Sequence, residues 1–151
     1  VRCGWEPGAR RLTVFEEHSA NKMMPADTGR IVVNALTYAD EPGAEPYFHD
    51  QMVWCDDTPD SKVQMATWRR ELGIRVHPAR KSRMRRLSYD WLAGLREIVI
   101  DPARCPRTFE EFMCKEFLRD RDGRWIDEIP DGDDHSIDAV RYAMMDDVLR
   151  G

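Results

Sequence analysis

The sequence predicts an α/β fold: a mixed β-sheet with helices on its faces. Three observations carry this. Apolar runs of strand length alternate with segments of helical periodicity. An apparent hairpin opens the chain, so the sheet is mixed rather than purely parallel. With 151 residues, 42% of them hydrophobic, the chain can bury a real core and is read as one domain over 1–151.

The elements follow in order. Val1 to Trp5 and Arg11 to Glu17 read as strands joined by the turn residues Glu6-Pro7-Gly8-Ala9. Thr28 to Ala39 reads as a helix, with Ile31, Val32, Ala35 and Leu36 along one side. Glu41 to Pro46 is a loop punctuated by proline and glycine. Gln51 to Cys55 is a strand, and Asp56 and Asp57 follow at its carboxyl end. Asp60 to Leu72 is a helix stopped by Gly73, and Ile74 to His77 is a strand. Ser88 to Glu97 is a helix and Ile98 to Ile100 a strand. Thr108-x-x-Glu111 has the form of a capping box opening a helix to about Leu118. Arg121-Asp122-Gly123-Arg124 is a turn, and a last helix runs from about His135 to Leu149.

Composition excludes several classes. No apolar stretch is long enough to span a bilayer. Cys3, Cys55, Cys105 and Cys114 have no C-x-x-C spacing, which argues against a zinc site and a disulfide framework and for reduced thiols in an intracellular protein. The net charge of −5 excludes a generic basic nucleic-acid binder. The charge is uneven, however. Arg80, Lys81, Arg83, Arg85 and Arg86 form a basic strip, while Asp56, Asp57 and Asp60 and the stretch from Asp127 to Asp138 are acidic. A metal-dependent nuclease needs one such region to grip phosphate and another to hold metal. A solvated loop accounts for the basic run equally well.

The most informative segment is Asp133 to Tyr142. On a helix, Asp134 and Asp138 share a face and His135 lies close to Asp138. Asp133 and Asp134 have an ordinary explanation as helix-start residues that cap free amides and offset the dipole. Asp138 lies a full turn in, beyond the reach of capping. Hard oxygen ligands beside an imidazole suit a divalent metal and phosphate chemistry. Sites in such sheets form at the carboxyl ends of strands, where Asp56 is placed, and the last helix is expected to bring Asp138 within metal-bridging distance of it. With no Walker-type loop and no Ser/His/Asp set, a metal-activated water is the economical nucleophile.

These residues resemble a known family. Asp134-His135-Ser136-Ile137-Asp138-Ala139-Val140-Arg141-Tyr142 is similar to the D-H-x-x-D-A-x-R-Y ending of the nuclease domain of phage terminase large subunits. Gly73 to Val76, Ala79 to Ser82 and Asp90 to Leu92 resemble its middle section. Pro106 to Phe117 with Asp120 to Trp125 resembles a later stretch, and Val53 to Asp56 resembles the strand that carries its second acidic residue. The resemblance implies an RNase H-like fold and a two-metal endonuclease, using Mg²⁺ or Mn²⁺, that cuts concatemeric double-stranded DNA during viral genome packaging in the host-cell cytoplasm. It implies Asp56 and Asp138 as catalytic carboxylates and metal ligands, His135 beside the metal, and Asp134 as a secondary ligand. Lys81, with Arg80, Arg83 and Arg85, would meet the DNA backbone. The packaging ATPase domain, the small terminase subunit and the portal protein are the implied partners.

Two departures accompany the resemblance. The family's first catalytic aspartate has no good match here, so the first strand is expected to be missing. The chain opens on Val1 rather than Met and is expected to be a fragment without its ATPase domain. Alternatives are a non-catalytic DNA- or partner-binding remnant of such a domain, and another RNase H-like nuclease of resolvase or transposase type. Of the remaining residues, Trp54, Trp68, Trp91 and Trp125 are expected in the core, and His18, His49 and His77 on the surface. Glu17 is expected at the surface, with an approach to the site as the alternative.

Overall fold

The computed structural model describes residues 1–81, 84–132 and 134–151. It is a mixed α/β structure in two compact units, Val1–Glu17 with Ser82–Gly151, and His18–Lys81.

In the first unit, β1 (Arg2–Glu6) and β2 (Arg11–Glu16) form the expected antiparallel hairpin. Leu12 and Val14 alternate inward on β2 and are almost fully buried. Each such side chain contributes about 1.5–3 kcal/mol of burial.

The second unit, His18–Lys81, opens with α1 (Pro25–Leu36). It begins three residues before the expected start, because Pro25 at its first position has a preset φ and needs no amide partner. Two short strands follow, β3 (Thr37–Tyr38) and β4 (Tyr47–Phe48), paired antiparallel around the Glu41–Pro46 loop. Neither strand was expected, since two residues are too few to show a period. β5 (Val53–Cys55) and β6 (Val76–Pro78) pair in parallel. Between them runs α2 (Pro59–Leu72), capped by the Thr58 hydroxyl on Ser61 N–H and ended by Gly73 at φ 65°. This is a β-α-β unit, so α2 serves as the crossover that a parallel pair requires. Its core is Leu36, Met65, Trp68, Ile74 and Val76. Gly29 lets α1 approach α2 closely: a Cβ there would stand 2.3 Å from Leu72 Cδ1. Trp68 Nε1 donates to the Pro25 carbonyl at 2.8 Å.

In the first unit, α3 (Met84–Ala93) lies earlier than the expected Ser88–Glu97, and β7 (Glu97–Ile100) pairs in parallel with β2. The sheet order is β1-β2-β7. α4 (Pro106–Cys114) is shorter than expected, and the Thr108 capping box does not form. Thr108 is a buried residue inside the helix, and the free amides of Arg107 and Thr108 are instead met by Glu17 from the end of β2. The last helix is broken at Met144 into α5 (His135–Ala143) and α6 (Met145–Arg150). Ile137, Val140, Met144, Met145 and Val148 are buried along it.

Of the tryptophans expected in the core, Trp68 is buried, but Trp125 is 52% exposed. Trp125 closes a small hairpin-like bridge with Arg119, whose guanidinium lies 3.8 Å from its ring centroid. All four cysteines are free thiols; Cys105 is fully buried and Cys114 is exposed. Among the described residues no helix is long and apolar enough to cross a membrane.

Candidate functional site

Asp56 stands immediately after β5, where the chain leaves the parallel pair and turns toward Thr58 and α2. Its Oδ1 accepts the Asp57 N–H at 3.0 Å and lies 2.5 Å from Lys81 Nζ. Lys81 follows β6, so the β-α-β unit brings these residues together from 25 positions apart in sequence. Both side chains are a little under half exposed, 43% for Asp56 and 45% for Lys81, so the pair is open to solvent. Arg80 is exposed beside Lys81.

The other candidates lie at the start of α5. Asp134 is buried, and its Oδ2 accepts from Lys115 Nζ at 2.9 Å and from Arg85 Nη2 at 3.0 Å, with the Tyr89 hydroxyl at 3.4 Å. Burial pushes the Asp134 carboxyl pKa up, but the bonds from Lys115 and Arg85 outweigh it and hold the group below its ordinary range. Burial and the nearby Asp134 charge push the Tyr89 phenol up to about 12. Lys115 and Arg85 also donate to the Pro130 carbonyl, and Lys115 to that of Gly132, so two cations fasten the strand of chain leading into α5.

Asp134 holds the position preceding α5, yet its side chain makes no capping bond. Glu111 of α4 takes that role. Its Oε2 accepts the amides of Ser136 at 2.7 Å and Ile137 at 3.0 Å. Asp138, one turn in, is half-buried and paired with Arg141, whose Nε donates to Ser88 Oγ at 2.6 Å. Burial raises the Asp138 carboxyl pKa despite Arg141. His135 is exposed at the first turn. Asp133 and Arg83 lie outside the described residues.

Each described candidate carboxylate thus faces a protein cation: Asp56 faces Lys81, Asp134 faces Lys115 and Arg85, and Asp138 faces Arg141. Hard oxygens that already accept cations have the right chemistry for Mg²⁺ or Mn²⁺. Among the described residues, however, no three His, Cys, Asp or Glu side chains are gathered into a metal-holding group. The donor type fits a divalent cation. Of the expected phosphate contacts, Arg85 is occupied with Asp134, Asp131 and Pro130, and Arg86 of the same strip with Asp90 and Asp127.

No protein-family model matches the chain. A 61-residue stretch, 40% of the chain, is 43% identical to the large terminase subunit of Bacillus phage SPP1. That stretch accounts for 14% of the relative's length. The solved nuclease domain of the large terminase (g2p) from bacteriophage SPP1, determined with bound Mn, superposes with a TM-score of 0.78. The likeness covers 97% of this chain and 77% of that one, at 26% identity. On both counts the chain is similar to the nuclease domain of a phage terminase large subunit. Its fold is accordingly the RNase H-like one of that terminase domain. The terminase likeness extends over nearly the whole chain.

Three contributors to this terminase fold were not foreseen. Lys115, Glu111 and Glu17 act on residues 19 to 91 positions away. The available signal was indirect: a helix opening on Asp134 and His135 with apolar residues soon after must find partners for a buried carboxylate and for free amides.

Proposed function

We propose that the chain is a metal-dependent endonuclease domain that cuts concatemeric double-stranded DNA during packaging of a viral genome. The observation that carries this is the likeness to a Mn-bound terminase nuclease domain over 97% of the chain. Asp56 and Asp138 are the proposed metal ligands and catalytic carboxylates, with His135 beside the metal and Asp134 a secondary ligand. When bound, two divalent cations would supply an activated water and offset charge at the leaving oxygen of the phosphodiester. The chain's own part is to orient that chemistry. Asp56 is fixed by the Asp57 amide at a strand end, and Asp138 is held at one side of α5 by Arg141, which Ser88 holds in turn. Exposed Arg80 and Lys81, with Arg83 and Arg85, are the proposed phosphate contacts. The packaging ATPase domain, small terminase subunit and portal protein are the proposed partners, in the host cytoplasm.

The test is nicking of supercoiled plasmid by the purified chain in Mg²⁺ or Mn²⁺. Cleavage abolished by chelator and reduced about 100-fold or more by Asp56→Asn and by Asp138→Asn supports the reading. Parent-level cleavage by both variants would sink the residue assignment.

One observation favours a second reading. Because each described candidate carboxylate is already paired with a protein cation, the domain could bind DNA or a packaging partner without cutting. Salt-sensitive DNA binding that is indifferent to chelator, with no nicking in either metal, would select it.

A further inference from the structure

The ammonium of Lys81 and the carboxylate of Asp56 are brought together by the parallel β5–β6 pair. We propose that Lys81 is a resident counter-cation that competes with the divalent metal for Asp56, and so sets the metal concentration at which the site loads. The inference rests on the reading above that Asp56 is a metal ligand.

Three features support it. First, the pair is close and one-sided: Lys81 Nζ and the Asp57 amide both engage Oδ1, and no contact to Oδ2 is present among the described residues. A cation can therefore approach Oδ2 before Lys81 has left. Second, the pair is weakly held. At 43% and 45% exposure, an ion pair contributes little more than about 1 kcal/mol, so a dication can displace it. Third, lysine suits exchange. Its charge is a compact point on a flexible four-carbon stem, unlike the planar fork with which Arg141 holds Asp138. On metal entry the ammonium stays protonated and moves off Oδ1. The exchange would trade the ion contact and one water of the incoming hydrated cation for a metal–oxygen bond. The freed charge is then available to a DNA phosphate, which couples metal loading to substrate grip.

The contrast with Asp134 sharpens the assignment. There, two cations converge on one buried oxygen, side-chain exposure is 9% for Asp134 and 12% for Lys115, and the same cations also hold backbone carbonyls. That arrangement is a structural fastening. The Asp56–Lys81 pair is instead open to solvent on both side chains.

The test is Mn²⁺ binding to the purified chain, followed by the loss of free Mn²⁺ paramagnetic signal and by calorimetry, with no DNA present. Lys81→Met should bind Mn²⁺ about two- to fivefold more tightly than the parent, the range an exposed ion pair is worth. Lys81→Arg should stay near the parent, and the gain should vanish when Asp56→Asn is added. Thermal unfolding of each variant confirms that it is folded. Mn²⁺ uptake that is unchanged or weakened in Lys81→Met, in a parent that binds the ion, overturns the inference while leaving the metal reading intact. A folded parent and folded variants that all fail to take up Mn²⁺ overturn both.

Discussion

Glu111 on α4 accepts the backbone N–H groups of Ser136 and Ile137 on α5, at 2.7 and 3.0 Å. One helix thus caps the next across 25 residues of chain, and the cap sits at the base of the segment carrying His135 and Asp138. A carboxylate at a helix start satisfies orphan amides and also offsets the positive end of the dipole. Glu111→Ala should therefore destabilise the chain by about 1–2 kcal/mol in urea unfolding. Glu111→Gln, which keeps an acceptor but not the charge, should recover part of that loss.

Lys115 and Asp134 form a pair in which both side chains are largely withdrawn from water. Lys115→Met leaves the carboxylate with Arg85 and the Tyr89 hydroxyl and removes the Lys115 bonds to Pro130 and Gly132. The expected cost is about 3 kcal/mol, since stranding one partner of a buried pair is worse than never having built it. In the double variant Lys115→Met with Asp134→Asn the loss should be smaller than the sum of the single losses. A double-mutant cycle by chemical denaturation measures the coupling.

Glu17 predicts a pH dependence. Burial raises its pKa, but the Thr108 hydroxyl, the Thr108 amide and the Arg107 amide together hold it below the ordinary glutamate value. With a folded pKa below the unfolded one, its contribution is complete above the unfolded value of about 4.3 and fades as pH falls through the folded value. Glu17→Gln should cost about 1 kcal/mol at pH 7. The gap between parent and variant should close in unfolding curves taken below about pH 4.

Gly29 lies against Trp68 and Leu72, where a Cβ would come within 2.8 Å and 2.3 Å of their side-chain carbons. Alanine has the better helix propensity by about 1 kcal/mol. Overpacking costs about 1–3 kcal/mol, so the steric term wins. Gly29→Ala should lower the unfolding temperature, and Gly29→Val should lower it further.

The first hairpin, α2 and its glycine stop were legible because their signals are local: turn residues, helical spacing and a glycine terminator lie within a few positions of what they control. Asp56 at a strand end was legible for the same reason. The start of α3 and the length of α4 were not. Thr108 and Glu111 have capping-box spacing, yet their side chains engage Glu17 and α5 respectively. The two-residue strands β3 and β4 were invisible for want of any period. The basic strip read as one surface, but Arg85 and Arg86 had been recruited by Asp134, Asp127 and Asp90, all folded against them from within the same unit. Charge in a sequence gives no account of which counter-charge the fold will deliver.

The sheet β1-β2-β7 is drawn from both arms of a discontinuous unit, with His18–Lys81 lying between them in sequence. Synthesis runs from the amino end, so the β1–β2 hairpin emerges long before the β7 strand that pairs with it, as Arg11 and Glu97 are 86 residues apart. At about 5–20 residues per second that wait is on the order of 4–17 s. The intervening segment carries its own buried cluster around Trp68 and Ile74 and is complete by Lys81. Its β-α-β crossover can therefore organise on the ribosome while Leu12 and Val14 still face water. The unit bearing Asp56 is, in birth order, the first to be complete.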